Sequence, residues 1–183
     1  MSIQYAILGF LSWEPLTGYD LKKRFAESDV LYWSGNNNQI YRALVELHRD
    51  GLVTQAIHDQ PSGPSRKVYT ITDKGLAELR AWLMTVPEPP QVRSPFLIQL
   101  TWAGQLGAGE LDDLLAAYEE EVRVKLLMLR EQAQRAPVAP DRTPREALLS
   151  RAITAHMNDF YQRELDWVRE LRADVSQINE VGE

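Results

Sequence analysis

Apolar residues that recur every three or four positions predict three helices at the start of the chain. The first ends before Pro15, because a proline inside a helix removes a hydrogen bond and clashes with the preceding turn. The second begins at Thr17-Gly-Tyr-Asp20, which has the Thr-x-x-Asp form of a helix capping signal. The third follows Asn36-Asn-Asn38, which are good N-cap residues, and stops at Gly51, a residue type common just past a helix end. Its inward face carries Ile40, Leu44 and Leu47.

A β-hairpin and a fourth helix are predicted next. Residues 52–58 and 67–72 are rich in Val, Ile, Thr and Tyr, and they flank the turn-forming run Asp59-Gln-Pro-Ser-Gly-Pro-Ser65. Thr72-Asp-Lys74 then opens a helix whose leucines repeat at three and four residues. The order of helix, helix, helix, hairpin and helix is that of a winged helix-turn-helix, in which the third helix enters the major groove of DNA.

Prolines divide the chain into two domains. Four of them fall between residues 86 and 95, too many for a helix interior. We therefore predict a winged helix-turn-helix DNA-binding domain at 1–86, a proline-rich linker at 87–95, and a helical dimerisation and effector domain at 96–183. The predicted fold class is mainly α with a small β-hairpin.

The last predicted helix, residues 143–178, is longer than a small domain can cover. It keeps an apolar stripe for several turns while Arg, Glu and Asp fill the other face, as in a coiled coil. Such a helix needs a partner, most simply a second copy of the chain. We predict a homodimer whose contact includes Leu165, Val168, Leu171 and Val175.

The outer face of the third helix has the chemistry of a DNA reader. With its leucines inward, it presents Asn37, Asn38, Tyr41, Arg42 and Val45. Asn pairs with adenine and Arg with guanine through paired hydrogen bonds, and a Tyr hydroxyl reaches a phosphate. The hairpin adds Ser65, Arg66 and Lys67, which places cations where the flanking phosphates lie.

At these residues the chain resembles the PadR family of bacterial transcriptional regulators. The resemblance covers nearly all of residues 3–84, and the remainder is similar in architecture to the longer helical C-terminal domain of one branch of the family. The chain departs from the family at Asn36-Asn-Asn38, where Ser, Pro or Gly is more common. The matching strings are Ile7-Leu-Gly-Phe-Leu11, Gly18-Tyr-Asp-Leu21, Ile40-Tyr-Arg-Ala-Leu44, Asp50-Gly-Leu52 and Tyr69-Thr-Ile-Thr72, with Gly75, Leu79 and Trp82.

The resemblance implies a double-stranded DNA partner with an inverted-repeat operator, and it favours a repressor. It also implies a small aromatic effector, since some family members bind aromatic ligands or drugs in a hydrophobic dimer pocket and release DNA. Five tryptophans are a high count for 183 residues, although tryptophans are more often core or interface residues. The candidate effector residues are Trp13, Phe96, Trp102 and Trp167.

Composition limits the other functions. The chain is 44% apolar and 25% charged, as expected for a globular protein, and its lack of cysteine excludes disulfides and thiolate metal sites. The net charge is −6, but residues 1–86 carry nine basic and nine acidic side chains, so the first half can still present a basic face. The N-terminus has no basic leader and no stretch is apolar enough to span a membrane, which predicts a cytoplasmic protein without a membrane partner.

The chain is not expected to be an enzyme. The three histidines do not share metal-ligand spacing, and the glycine-rich run at 104–109 lacks the preceding strand of a phosphate-binding loop. Glu119-Glu-Glu121 is interpreted as a solvated helix face and not as an acid/base pair. We therefore expect no cofactor, no metal and no catalytic residue. The alternative to a DNA-binding regulator is a dimeric helical adaptor whose winged domain binds protein.

Overall fold

The structure is a computed structural model that describes residues 3–27, 38–60, 63–90, 93–135, 140 and 142–181. The chain divides into two compact units, Met1–Glu88 and Pro89–Glu183. The first unit is a winged helix-turn-helix and the second is helical, which confirms the predicted fold class. No helix in the described ranges is long and apolar enough to cross a membrane.

In its described residues, the first unit combines four helices with a small antiparallel sheet. The sheet order is β1-β3-β2, and the two-residue strand β1 pairs with β3 so that Leu16 lies opposite Tyr69 and Thr17 opposite Val68. Sequence periodicity did not predict β1, because two residues are too few to show an alternation. The elements are α1 (Ile3–Leu11), β1 (Leu16–Thr17), α2 (Gly18–Ala26), α3 (Asn38–Arg49), β2 (Val53–Gln60), β3 (Gly63–Ile71) and α4 (Asp73–Leu83).

The core of the first unit lies between α1, α2, α3 and the sheet. The predicted inward face of α3 is confirmed, because Ile40, Leu44 and Leu47 are all buried. Phe10 meets Phe25 edge to face across this core. The buried face of α3 fixes which side of that helix remains open to a ligand.

Local signals set the helix ends as the sequence predicts. The Thr17 side chain accepts a hydrogen bond from the Asp20 backbone N–H, and the Asp20 carboxylate accepts one from the Thr17 N–H, which completes a capping box at the start of α2. Thr72 caps α4 through the N–H of Gly75. Gly51 follows α3 with a φ of 71°, a left-handed conformation that favours glycine.

The second unit is built on two long helices, α6 and α7, that pack against each other. Its elements are α5 (Pro95–Trp102), a 3-10 turn (Ala103–Gln105), α6 (Ala108–Arg135) and α7 (Pro144–Val181). The core of the unit is formed by Phe96, Leu115, Val122, Leu126, Leu165 and Val168.

This core includes two of the residues predicted for the dimer contact. Leu165 and Val168 are only 4% and 0% exposed, because side chains of the same chain cover them. Leu171 and Val175 are partly buried against the same core. Leu165 and Val168 therefore belong to the core of their own chain.

Ion pairs connect α6 to α7 along one edge of their contact. Arg172 donates through Nε to Asp112 Oδ1 at 2.6 Å and through Nη2 to Oδ2 at 2.9 Å. Glu119 accepts from Arg169 at 2.8 Å and from Arg172 at 3.3 Å. Glu119 was interpreted from the sequence as part of a solvated face; in the structure it bridges two helices.

Candidate nucleic-acid interface

The open side of α3 carries the polar and apolar groups that the sequence places there. Tyr41 is 48% exposed and Val45 is 66% exposed, and Arg42 and Asn38 are also exposed. These four side chains lie on the face opposite the buried leucines. Asn37, which was predicted to share that face, lies outside the described residues.

The β2–β3 hairpin, which we call the wing, places two cations next to this face. Arg66 and Lys67 are exposed on β3, opposite His58 and Ile57 of β2. Neither wing cation, nor Arg42, forms an ion pair with any acidic side chain in the part of the chain that the structure describes. The side chain of Ser65, the third predicted wing contact, lies outside the described part. The cations are thus available to an anionic partner.

A concave site of about 530 Å³ connects α3 to the wing. We call it the tyrosine pocket, because three tyrosines from three different elements form its walls. Its lining consists of Thr17, Gly18, Tyr19, Asp20, Tyr41, Val45, Arg66, Lys67 and Tyr69. Of these residues, the sequence places Tyr41 and Val45 on the outer face of the third helix and Arg66 and Lys67 on the wing.

Close packing against α2 determines where Tyr41 points. A Cβ on Gly18 would lie 2.6 Å from Tyr41 Cε1, so a larger residue at this position would displace the ring. The Tyr41 ring therefore rests against the first turn of α2. Its orientation is set by that contact, and the ring forms a wall of the pocket.

Tyr69 forms the buried wall of the tyrosine pocket. It is only 6% exposed, and this burial raises the pKa of its phenol. The nearby Tyr41 raises that pKa further. The Tyr69 hydroxyl therefore stays neutral and keeps its proton, so that it remains able to donate a hydrogen bond.

Asp20 brings one negative charge to the same site. Hydrogen bonds from the Thr17 hydroxyl, at 2.7 Å, and from the Thr17 N–H, at 3.0 Å, hold the pKa of Asp20 below its usual range. The positive charge of Arg66 lowers this pKa further. Asp20 thus remains ionised and offsets part of the charge of Arg66.

Sequence reasoning missed Gly18, Tyr19 and Tyr69 as site residues. They reach the site because β1 pairs with β3 and brings the start of α2 beside the wing. A two-residue strand leaves no periodic signal, so the pattern along the chain gives no indication of this approach.

The candidate effector residues do not form one group. Phe96 is buried and stacks on Tyr118, with ring centroids 3.5 Å apart, and Trp167 meets Phe96 edge to face at 6.1 Å. Trp102 is 67% exposed, and Trp13 belongs to the first unit, where it packs on Phe10. Phe96 and Trp167 are therefore the two predicted residues that the structure brings together.

Comparison with known proteins gives matches over both units. The family model described as the transcriptional regulator PadR-like family matches residues 7–81, and the one described as the virulence activator alpha C-term matches residues 92–176. The negative transcriptional regulator PadR of Bacillus subtilis (strain 168) is 34% identical over 125 residues, which are 68% of this chain and 69% of that protein.

Two solved structures of Bacillus subtilis PadR have a similar fold. The structure in complex with operator DNA has a TM-score of 0.82 at 26% identity and covers 96% of this chain and 99% of that one. The structure in complex with p-coumaric acid has a TM-score of 0.74 at 26% identity and covers 96% of each chain. The similarity thus extends over both units and includes a relative solved with DNA and with a small aromatic acid.

Proposed function

The chain belongs to the PadR-like family of transcriptional regulators, and from this premise we propose that it is a homodimeric repressor that binds an inverted-repeat operator. The family consists of regulators of transcription and not of enzymes, in agreement with the sequence-based expectation. The observation that carries the proposal is the open side of α3, where Arg42 is exposed and where Tyr41 and Val45 line one site together with the wing cations Arg66 and Lys67.

The face divides into groups that read bases and groups that hold the DNA backbone. Asn38, Asn37 and Arg42 are proposed to hydrogen-bond to base edges in the major groove, which is the groove whose edges distinguish all four base pairs. Arg66, Lys67 and Ser65 of the wing are proposed to contact phosphates, which position the protein without carrying sequence information. Tyr41 is assigned to a phosphate, since its contact with Gly18 directs the ring towards the pocket beside the wing.

A dimer is supported by apolar side chains that the second unit leaves uncovered. Leu149, Ile153 and Phe160 are 56%, 37% and 51% exposed, and their spacings of four and seven residues place them on one face of α7. Leu148 is also 60% exposed. We assign the dimer contact to this stripe in place of Leu165 and Val168. A two-fold dimer would present two copies of α3 to two half-sites, which is why the operator is expected to be an inverted repeat.

A small aromatic acid is proposed as the effector. The relative solved with p-coumaric acid supports this ligand class. In this chain the cluster of Phe96, Tyr118 and Trp167 supplies stacked and edge-on aromatic rings of the kind that line apolar ligand sites. A ligand there lowers DNA affinity only if it binds the free conformation more tightly than the DNA-bound one.

The proposal is tested by sequencing the DNA that the purified protein retains from its own genome and by titrating the recovered site at several salt concentrations. A DNA-binding regulator should enrich an inverted repeat, and its affinity should fall steeply with salt because phosphate contacts release counterions. An adaptor whose winged unit binds protein through apolar contacts should enrich no DNA sequence, and its binding should change little with salt. The second result would overturn the proposed function.

A further inference from the structure

We propose that Val45 recognises the C5-methyl group of a thymine in each half-site, so that a residue without a hydrogen-bonding group contributes to operator specificity. The inference rests on the proposed function, in which α3 lies in the major groove. Val45 would join the polar residues of α3 that contact base edges, and the feature that it contacts would be the thymine methyl group.

The first observation is the position of Val45. It is 66% exposed in the middle of α3, three residues after Arg42 and four after Tyr41, so the three side chains share one face of the helix. A single exposed apolar side chain needs no explanation by itself. Val45, however, also lines the tyrosine pocket, whose other lining residues include the cations Arg66 and Lys67. Val45 is thus an apolar group on a face that is otherwise polar and cationic.

The chemistry of the major groove indicates which base group Val45 would contact. Base edges in the major groove display hydrogen-bond donors and acceptors, and the apolar group among them is the thymine methyl. Valine has no hydrogen-bonding atom in its side chain, and its β-branch leaves one strongly preferred rotamer in a helix. Val45 therefore presents a fixed methyl surface, which would match a thymine and leave the exocyclic amine of a cytosine without a partner.

Helix geometry indicates which thymine is read. Three residues of α-helix advance about 4.5 Å along the axis, and successive base pairs are separated by about 3.4 Å. A helix that places Arg42 on one base therefore places Val45 on the next base pair or the one after it. The thymine is expected within about two base pairs of the guanine that Arg42 contacts.

The experiment uses operators in which one thymine at a time is replaced by deoxyuridine, which removes the methyl group and keeps the base pairing. For the wild-type chain, the replacement at one position of a half-site should weaken binding about fourfold, the value for one buried methyl group. In Val45→Ala, the same replacement should have a clearly smaller effect, because the two γ-methyl groups that reach the thymine methyl are gone. Val86→Ala makes the same substitution at a valine that is 92% exposed and lies outside α3, and it should respond as the wild type does.

The outcomes separate this inference from the proposed function. If the wild type binds its operator and no deoxyuridine replacement weakens it, or if Val45→Ala responds to every replacement as the wild type does, Val45 does not read a thymine methyl, although the chain still binds DNA. If the wild type binds no operator at all, the proposed function fails and this inference fails with it. Val45 is exposed, so Val45→Ala is expected to fold, and its thermal unfolding midpoint serves as the check.

Discussion

The ring of Tyr41 lies so close to Gly18 that a Cβ on residue 18 would come within 2.6 Å of Tyr41 Cε1. This contact joins the middle of α3 to the first turn of α2 and closes one side of the tyrosine pocket. Tyr41 is half exposed, so its ring is free to move outwards if a larger residue takes the place of Gly18. Gly18 therefore sets the direction of a side chain that we assign to the DNA backbone.

Gly18→Ala should lower operator affinity while leaving folding nearly unchanged. The added methyl group would push the Tyr41 ring away and remove its hydrogen bond to a phosphate, at a cost of about 1.5 to 3 kcal/mol per half-site. Alanine is at the same time a better helix residue than glycine, which limits any loss of stability. Operator affinity and the thermal unfolding midpoint measure the two effects.

Two further variants show whether Gly18 acts through Tyr41. Gly9→Ala adds the same methyl group to α1, where nothing lies within 4 Å of it, and should leave operator affinity unchanged. In a Tyr41→Ala background, Gly18→Ala should cause no additional loss, since the displaced ring is already absent. If Gly18→Ala lowers operator affinity by the same factor in the wild type and in Tyr41→Ala, Gly18 does not act through Tyr41.

Substitutions in the wing and in α3 should differ in their dependence on DNA sequence. Lys67→Ala should weaken binding to operator and random DNA alike, and it should lower the salt slope by about one for each phosphate that the lysine no longer neutralises, or about two for a dimer. Tyr41→Phe should also weaken both kinds of DNA alike. Arg42→Ala should cost about 1 to 3 kcal/mol per half-site on the operator and much less on random DNA.

A suitable control is Arg80→Ala, which removes one exposed positive charge from α4, at a residue that does not line the tyrosine pocket. It should leave the salt slope close to that of the wild type. If Arg42→Ala reduces the affinity for operator and random DNA by the same factor, α3 is not the element that reads the sequence.

The sequence predicted more of the fold than of the interface. The inward face of α3 follows from the spacing of Ile40, Leu44 and Leu47, because a helix with one apolar stripe has one way to bury it. The same reasoning assigned Leu165 and Val168 to a dimer contact, whereas in the structure they are buried in the core of their own chain. Periodicity shows that a face of α7 is apolar, but it does not show whether α6 of the same chain or a second copy covers that face.

The interface depends on contacts between residues far apart in the sequence. Gly18 and Tyr41 meet only because α2 and α3 pack together, and Tyr69 enters the pocket through the pairing of β3 with the short β1. Neither contact leaves a periodic signal along the chain. The exposed groups Arg42, Arg66 and Lys67 could be proposed from the sequence, because the predicted helix and hairpin already determine which side chains point outwards.

Charged substitutions on α7 should separate the dimer contact from the core. Ile153→Glu and Phe160→Glu lie on the exposed stripe and should dissociate the dimer at micromolar concentration while each chain remains folded. Leu165→Glu places an unpaired charge in the core, and the resulting destabilisation of about 3 kcal/mol or more should unfold the second unit. Sedimentation and circular dichroism distinguish the two results. A dimer that survives Ile153→Glu combined with Phe160→Glu would place the contact elsewhere.

An aromatic effector should be detected by Trp167 and not by Trp102. Trp167 contacts Phe96 inside the aromatic cluster, whereas Trp102 is largely exposed. Saturable quenching of intrinsic fluorescence by an aromatic acid should therefore disappear in Trp167→Phe and persist in Trp102→Phe. A screen of aromatic acids, phenols and planar drugs that gives no saturable quenching and no change in operator affinity would leave the tryptophans with a structural role only.

The stability of the second unit should depend on pH through the ion pairs between α6 and α7. The hydrogen bond from Arg172 holds the pKa of Asp112 below its usual range, and the hydrogen bonds from Arg169 and Arg172 lower the pKa of Glu119. A carboxyl group with a lowered folded-state pKa stabilises the fold above its unfolded pKa. That stabilisation disappears as the pH falls through the lowered value.

Arg172→Met should therefore lower the thermal unfolding midpoint at pH 7 and reduce the further loss on acidification below about pH 4, where unfolded-state carboxyl groups become protonated. The substitution removes the charge that favours the ionised forms of Asp112 and Glu119 and keeps most of the aliphatic stem. Arg123→Met is the matched control, because within the described ranges Arg123 forms an ion pair with Glu120, three residues away on the same helix, and with no residue of another element. An ion pair of that kind on a helix surface contributes little. If Arg123→Met and Arg172→Met shift the unfolding midpoint equally at every pH, the pairs between α6 and α7 do not stabilise their contact.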